Sequence, residues 1–204
     1  MTQFIADTAR AVSFLSRLAV PERFFDHRET VVAASARAYG IAGVVVALPA
    51  RLTLHVLLVL GLQPLFACAS AVTCRVVTTG SLHEDGLADT ADGFGGGETK
   101  ERKLEIMRDS RLGSYGGMAL IFSIMIRTMA LAMLSGEPGR GVIALFAIAL
   151  ASRTLALWHW HALDPARADG LAVSAGQPDW RALSIGVGLG LVGFVALLLT
   201  FGSA

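Results

Sequence analysis

Charge is what this sequence has least of. Only 16% of its 204 residues are Asp, Glu, Lys or Arg, against roughly 25% in an ordinary water-soluble domain, while 54% are hydrophobic. A mean hydropathy of +0.61 excludes a chain bathed in water on every side. The net charge is +1, so no global balance points to a nucleic-acid partner. Cysteine is scarce as well. Cys68 and Cys74 lie six residues apart inside an apolar run, a spacing that fits no common zinc or thioredoxin pattern. They read as small buried apolar residues. The alternation that a membrane barrel needs is missing, as are internal repeats and low-complexity tails. No cleavable signal peptide is expected, because Met1–Arg37 carries five arginines and no small-residue cleavage site after an apolar core.

What is present is a series of five apolar stretches, near 38–60, 62–82, 115–135, 140–161 and 182–202, each close to the 20 or so residues that cross a bilayer. Arg51, Arg75, Arg127 and Arg153 fall within them. An arginine at mid-membrane costs roughly 2.5–3.5 kcal/mol, so these four should face the bundle interior or snorkel to an interface. Gly186, Gly188, Gly190 and Gly193 suit close helix contact. Residues 1–18 read as an amphipathic helix on the membrane surface. The expected fold is all-α: a polytopic helical membrane protein of about five transmembrane helices, one integral membrane domain over 1–204, preceded by that N-terminal amphipathic helix.

Lys and Arg give it a direction. Arg10, Arg17, Arg23, Arg28 and Arg37 precede the first span; Lys100, Arg102, Lys103, Arg108 and Arg111 lie between the second and third; Arg167 and Arg181 lie between the last two. The alternate side holds only Arg140. The richer side is predicted to be cytoplasmic. Pro138-Gly139 is expected to turn the chain on the outer side, and Gln177-Pro178-Asp179 to start the last helix.

Half of the sixteen acidic residues fall between Glu84 and Asp109. Asp85, Asp89 and Asp92 stand at i, i+4 and i+7, within an arc of about 60° on a helix. Like charges so placed repel; a divalent cation removes the repulsion, and an oxygen-only donor set favours Mg²⁺ or Mn²⁺ over zinc. A solvated acidic helix end is the plain alternative. Against it stand the neighbouring apolar span, where charge is costly, and the loop Gly93-Phe94-Gly95-Gly96-Gly97, able to offer N–H groups to phosphate. A following helical run carries Glu101, Glu105 and Asp109, a second acidic face that could meet the first. Arg108 and Arg111 flank Asp109 and suit a clamp on phosphate oxygens. Residues 83–114 therefore read as a cytoplasmic catalytic segment for metal-dependent phosphoryl transfer, with one carboxylate taking the proton of an attacking hydroxyl.

The runs Gly80-Ser-Leu-His-Glu-Asp-Gly-Leu-Ala-Asp-Thr-Ala-Asp-Gly93 and Leu104-Glu-Ile-Met-Arg-Asp-Ser-Arg-Leu-Gly-Ser-Tyr-Gly-Gly117 closely resemble the cobalamin synthase family, the adenosylcobinamide-GDP ribazoletransferases or cobalamin-5′-phosphate synthases. Phe14-Leu-Ser-Arg-Leu-Ala-Val-Pro21, Ala151-Ser-Arg153 and Gly170-Leu171 are similar to the family as well. The resemblance implies a multi-pass enzyme of the bacterial inner membrane, its active site facing the cytoplasm. It would join adenosylcobinamide-GDP to α-ribazole or its 5′-phosphate, release GMP and require Mg²⁺. It implies metal ligation by Asp85, Asp89, Asp92, Asp109 and, at second rank, Glu105, with phosphate binding by Arg108, Arg111 and Arg153. Asp89, Asp92 and His83 are the catalytic candidates, although His83 could equally just cap its span. His159 and His161 read as interfacial. The family continues past a fifth span with a glycine- and aspartate-containing motif, so the resemblance also implies a C-terminally shortened chain. An oligomer is compatible with the sequence. Two other classes compete: a lipid-using CDP-alcohol phosphotransferase, whose carboxylate spacing is similar but whose Ala-Arg pair is absent, and a cation transporter, which predicts carboxylates deep within spans.

Overall fold

The computed structural model describes residues 2–25, 32–135 and 140–201; Arg28 and the Pro138-Gly139 turn lie outside them. Among the described residues every regular element is helical. In chain order these are α1 (Thr2–Leu15), two 3₁₀ turns (Glu22–Phe24 and Val32–Ala38), α2 (Tyr39–Val59), α3 (Pro64–Thr78), α4 (Leu82–Gly96) and α5 (Lys100–Ile106). After them come α6 (Ser114–Leu134), α7 (Arg140–Ala162), α8 (Leu171–Ser174) and α9 (Trp180–Phe201). Helices thus stand at all five apolar stretches. Three segments, Val32–Val59, Ser114–Leu134 and Ile143–Ala162, are long and apolar enough to cross a bilayer, and a fourth is counted if the bent pair α3–α4 is one span.

The second stretch departs from expectation. A single span over 62–82 was expected, but α3 has 15 residues, about 22 Å at 1.5 Å per residue, short of a hydrocarbon core of about 30 Å. It stops because Gly80 takes φ +62° and Ser81 follows at +62°. The Gly80 N–H then reaches Val77 O and the Ser81 N–H reaches Val76 O, which satisfies the last carbonyls and ends the helix. A Cβ at Gly80 would come within 2.6 Å of Arg17 Nε, so glycine is required there twice over. Beyond this break α4 departs at 89°.

Small residues set the packing elsewhere. Cβ atoms at Gly186, Gly190 and Gly193 of α9 would come within 2.3–2.5 Å of Leu157, Thr154 and Leu150 of α7; three of the four expected glycines therefore do bring two helices together. Gly188 has open space around it and faces away. Asp179 caps α9 by accepting the Ala182 N–H at 2.7 Å, so the predicted helix start holds.

Helix α1 docks on the bundle. Its Ala11, Val12 and Leu15 are buried with Tyr39, Ala42 and Val46 of α2, Leu157 of α7 and Ala182 and Leu183 of α9. Asp7, 2% exposed, holds the helix electrostatically: it accepts from Arg37 Nη2 at 2.5 Å and from Arg10 at 3.4 Å. Arg17 N–H adds a 2.8 Å bond to Thr78 O and ties the end of this segment to the α3–α4 break. Of the four span arginines, Arg153 is buried and Arg75 and Arg127 are half-buried, whereas Arg51 is exposed with its guanidinium 5.0 Å from the Phe146 ring centroid, an aromatic contact that tolerates exposure.

Candidate active site

Helix α4 carries two sets of charged groups. Its acidic set is Asp85, exposed, Asp89, half-buried, and Asp92, buried. Asp89 lies within electrostatic reach of both neighbours, as the i, i+4, i+7 spacing requires. Asp85 and Asp89 have no hydrogen-bonding or ionic partner among the described residues. Asp92 does. Its two oxygens accept the N–H groups of Gly113 and Gly116, each at 2.8 Å. It thus caps the start of α6 from a neighbouring helix, where the amides are free and the dipole is positive. A Cβ on either glycine would sit 2.3 Å from an Asp92 oxygen; the close approach demands glycine. Each oxygen keeps a second lone pair.

The glycine run does not form a phosphate-cradling loop. Gly93–Gly96 are the last turn of α4, and the Gly97 N–H bonds back to Gly93 O. A helix C-terminus leaves carbonyls free, not amides, so anions gain nothing there. The second acidic face also stops short. Helix α5 ends at Ile106; Glu105 pairs with Arg102 at 2.7 Å, and Asp109 lies beyond the helix, bonded to Arg111. Among the described residues no three His, Cys, Asp or Glu side chains gather as metal ligands. The donor chemistry of α4 nonetheless fits a hard cation: three oxygen donors on one face, two of them unpaired and mutually repelling.

Asp109 accepts the Arg111 backbone N–H at 3.1 Å and its guanidinium at 2.5–3.0 Å. The guanidinium hydrogen bonds first, and then the backbone one, hold its pKa down at about 2, and the same pairing raises that of Arg111. Arg108 is bound instead to Asp169, both oxygens at 2.6 Å, which ties the end of α5 to the segment before α8. Asp169 is a partner that nothing in the sequence signals, because it lies 61 residues away.

The second set sits on another face of α4, at its first turn. His83 Nε2 is 2.6 Å from Arg153 Nη2. Arginine only donates, so Nε2 accepts and the ring proton is on Nδ1. Glu84, 8% exposed, pairs with Arg127 of α6 at 2.8 Å. Arg75, near the end of α3, lies within electrostatic reach of Arg127, Arg153 and Glu84. The structure joins Arg153 to His83, on a different face of α4 from Asp92. Glu84, Arg75 and Arg127 are the residues that sequence reasoning left unassigned. Their signal was present: charge inside apolar helices is costly unless paired. His161 Nδ1 donates to Pro178 O, 2.7 Å away, and the ring lies against Trp180, while His159 is exposed.

The fold and site define a helical, apolar protein of the membrane-spanning kind, in which α4 carries a carboxylate face and meets an arginine cluster, groups suited to phosphate chemistry. The chain is a member of the cobalamin-5-phosphate synthase family, whose model matches residues 7–204. It is 46% identical over 201 residues to an adenosylcobinamide-GDP ribazoletransferase of Sinorhizobium medicae strain WSM419, covering 98% of this chain and 76% of that one. Similar proteins of the same name occur in Rhizobium johnstonii, 46% identical over 96% of this chain and 75% of the relative, and in Brucella ovis, 41% identical over 92% and 73%. No solved structure matches the chain.

Proposed function

We propose that this protein transfers the adenosylcobinamide phosphate moiety of adenosylcobinamide-GDP to α-ribazole or its 5′-phosphate, releasing GMP. The observation that carries the reading is family membership over nearly the whole chain, together with relatives that bear the name of this activity. It favours this reading over the lipid phosphotransferase and the transporter. In the reaction a ribose hydroxyl oxygen attacks the phosphorus that bears the cobinamide. The bridging P–O bond breaks with its electron pair going to GMP, and the hydroxyl proton passes to the protein.

Asp89 is the residue assigned to take that proton. Both oxygens of Asp92 already accept backbone N–H groups and His83 Nε2 already accepts from Arg153, whereas Asp89 is half-buried and unpaired. Mg²⁺, held by Asp85 and Asp89 with Asp92 and Asp109 as further donors and Glu105 at second rank, would neutralise charge on the diphosphate. Arg108 and Arg111 would exchange Asp169 and Asp109 for substrate phosphate oxygens, and Arg153 would bind phosphate beside another face of α4. The reading puts the protein in the bacterial inner membrane with five spans and α4–α5 on the cytoplasmic side, in accord with the Lys and Arg distribution. GMP release from adenosylcobinamide-GDP and α-ribazole, measured with and without Mg²⁺, tests it. Metal-dependent release is expected from the wild type, and its absence from folded protein overturns the assignment.

A further inference from the structure

The arginine cluster beside the α3–α4 break carries more positive charge than the protein balances. Arg75, Arg127 and Arg153 are guanidiniums on three different helices; Glu84 is the carboxylate that pairs with Arg127 and acts electrostatically on Arg75 and Arg153. His83 is neutral, since its Nε2 accepts a bond from Arg153. Three cations facing one anion leave two positive charges uncompensated. Arg153 is 6% exposed and nine residues, about 13 Å, from the end of α7. Uncompensated charge at such a place is costly. Three buried polar atoms of the same cluster also lack hydrogen-bond partners: Arg153 Nε, Tyr39 Oη and Glu84 Oε2. Two of them are donors of the kind that phosphate oxygens accept. Exposure is graded from Arg153, closed, to Arg75 and Arg127, half-buried, which leaves the latter two as the side of entry.

We propose that Tyr39, Arg75, Arg127 and Arg153, with Glu84 as their internal counter-charge, form a binding site for a doubly charged phosphate group, separate from the carboxylate face and independent of metal. A diphosphate diester carries the two negative charges that the cluster lacks. Its identification as the substrate's diphosphate rests on the function proposed above, but the oxyanion site does not. A phospholipid with a phosphomonoester headgroup has the same chemistry, and the test separates the two sources.

Purified protein in EDTA is titrated calorimetrically with inorganic pyrophosphate and GDP, and its retained lipid is extracted and identified. One pyrophosphate or GDP per chain is expected. Arg75→Gln and Arg127→Gln should weaken binding at least tenfold, while the charge-preserving Arg127→Lys loses less. Asp89→Asn and Arg102→Gln should bind as the wild type does. In turnover assays the two arginine variants should raise KM for the nucleotide substrate more than they lower kcat. A stoichiometric phosphomonoester lipid that pyrophosphate displaces, and that Arg127→Gln fails to retain, supports the site and makes lipid its occupant. Protection of wild-type arginines from phenylglyoxal by pyrophosphate checks the site without any substitution. No metal-free binding and no retained anionic lipid, or equal binding by the arginine variants, overturns it. Metal-free binding with no GMP release leaves the oxyanion site standing and removes the catalytic reading alone.

Discussion

Two faces of α4 are built on opposite principles. On one, Glu84 and His83 are enclosed by arginines from three other helices; on the other, Asp85 and Asp89 have no ionic partner among the described residues, and Asp92 is locked onto α6. One face gathers cations around a single carboxylate, while the other gathers carboxylates alone. A turn of about 100° per residue keeps the two groups apart even where Glu84 and Asp85 are neighbours in the chain. A helix with a single structural task would have no reason to sort its charges in this way.

That contrast can be broken one face at a time. The largest effect is expected from Asp89→Asn, which removes the unpaired carboxylate without touching a structural bond. The kcat for GMP release should fall about 10²–10⁴-fold, the usual worth of a general base, with thermal stability unchanged; activity within a few fold of wild type would move the proton acceptor elsewhere. Next comes Glu84→Gln, which leaves three guanidiniums facing one another. Breaking a fully buried pair costs about 3–5 kcal/mol, and because Arg127 is 36% exposed we expect about 2 kcal/mol, read as a lower midpoint in detergent denaturation. Gly116→Ala should cost about 1–2 kcal/mol by pushing Asp92 off the α6 amides, the value of a lost cap, and should increase amide exchange at the start of α6. Exchange confined elsewhere would show that the cap is not what orders that turn.

The smallest effect concerns pH. Asp109 is held at about 2 in the folded protein, below its ordinary value near 4. A depressed carboxylate stabilises the fold above its unfolded pKa, and that contribution disappears as pH falls through about 4 towards 2. Asp109 should therefore stay ionised through neutral and mildly acid conditions, and carbon NMR of its carboxyl should show no titration between pH 5 and 8. Arg111→Gln should bring its midpoint back up towards 4.

Much of this was legible in the sequence, and the gaps have physical reasons. The five apolar stretches located five helices because hydrophobic length needs no tertiary information. The bend after Thr78 is hard to foresee, since neither proline nor charge marks it and Thr78-Thr79-Gly80-Ser81 is flanked by apolar residues on both sides. Asp92 was recognised as special by its spacing, but its partners lie 21 and 24 residues further on, and local pattern cannot name them. Helices that are apolar all round do not announce which way they face. Arg75, Arg127 and Arg153 could thus be expected inside, and yet their meeting at Glu84 could not be foreseen. The acidic face of α5 failed for a simpler reason: the helix ends before Asp109.

The docking of α1 has a consequence for synthesis. Its apolar residues share one core with α2, α7 and the first turn of α9, and the last part of that core, Ala182 and Leu183, is translated long after α1 itself. Until then the amphipathic segment has only the membrane surface and a partial platform to lie against. The core around α1 is therefore complete only after α9 has been made, and the Arg17 bond to Thr78 can close over the α3–α4 break only once both are in place.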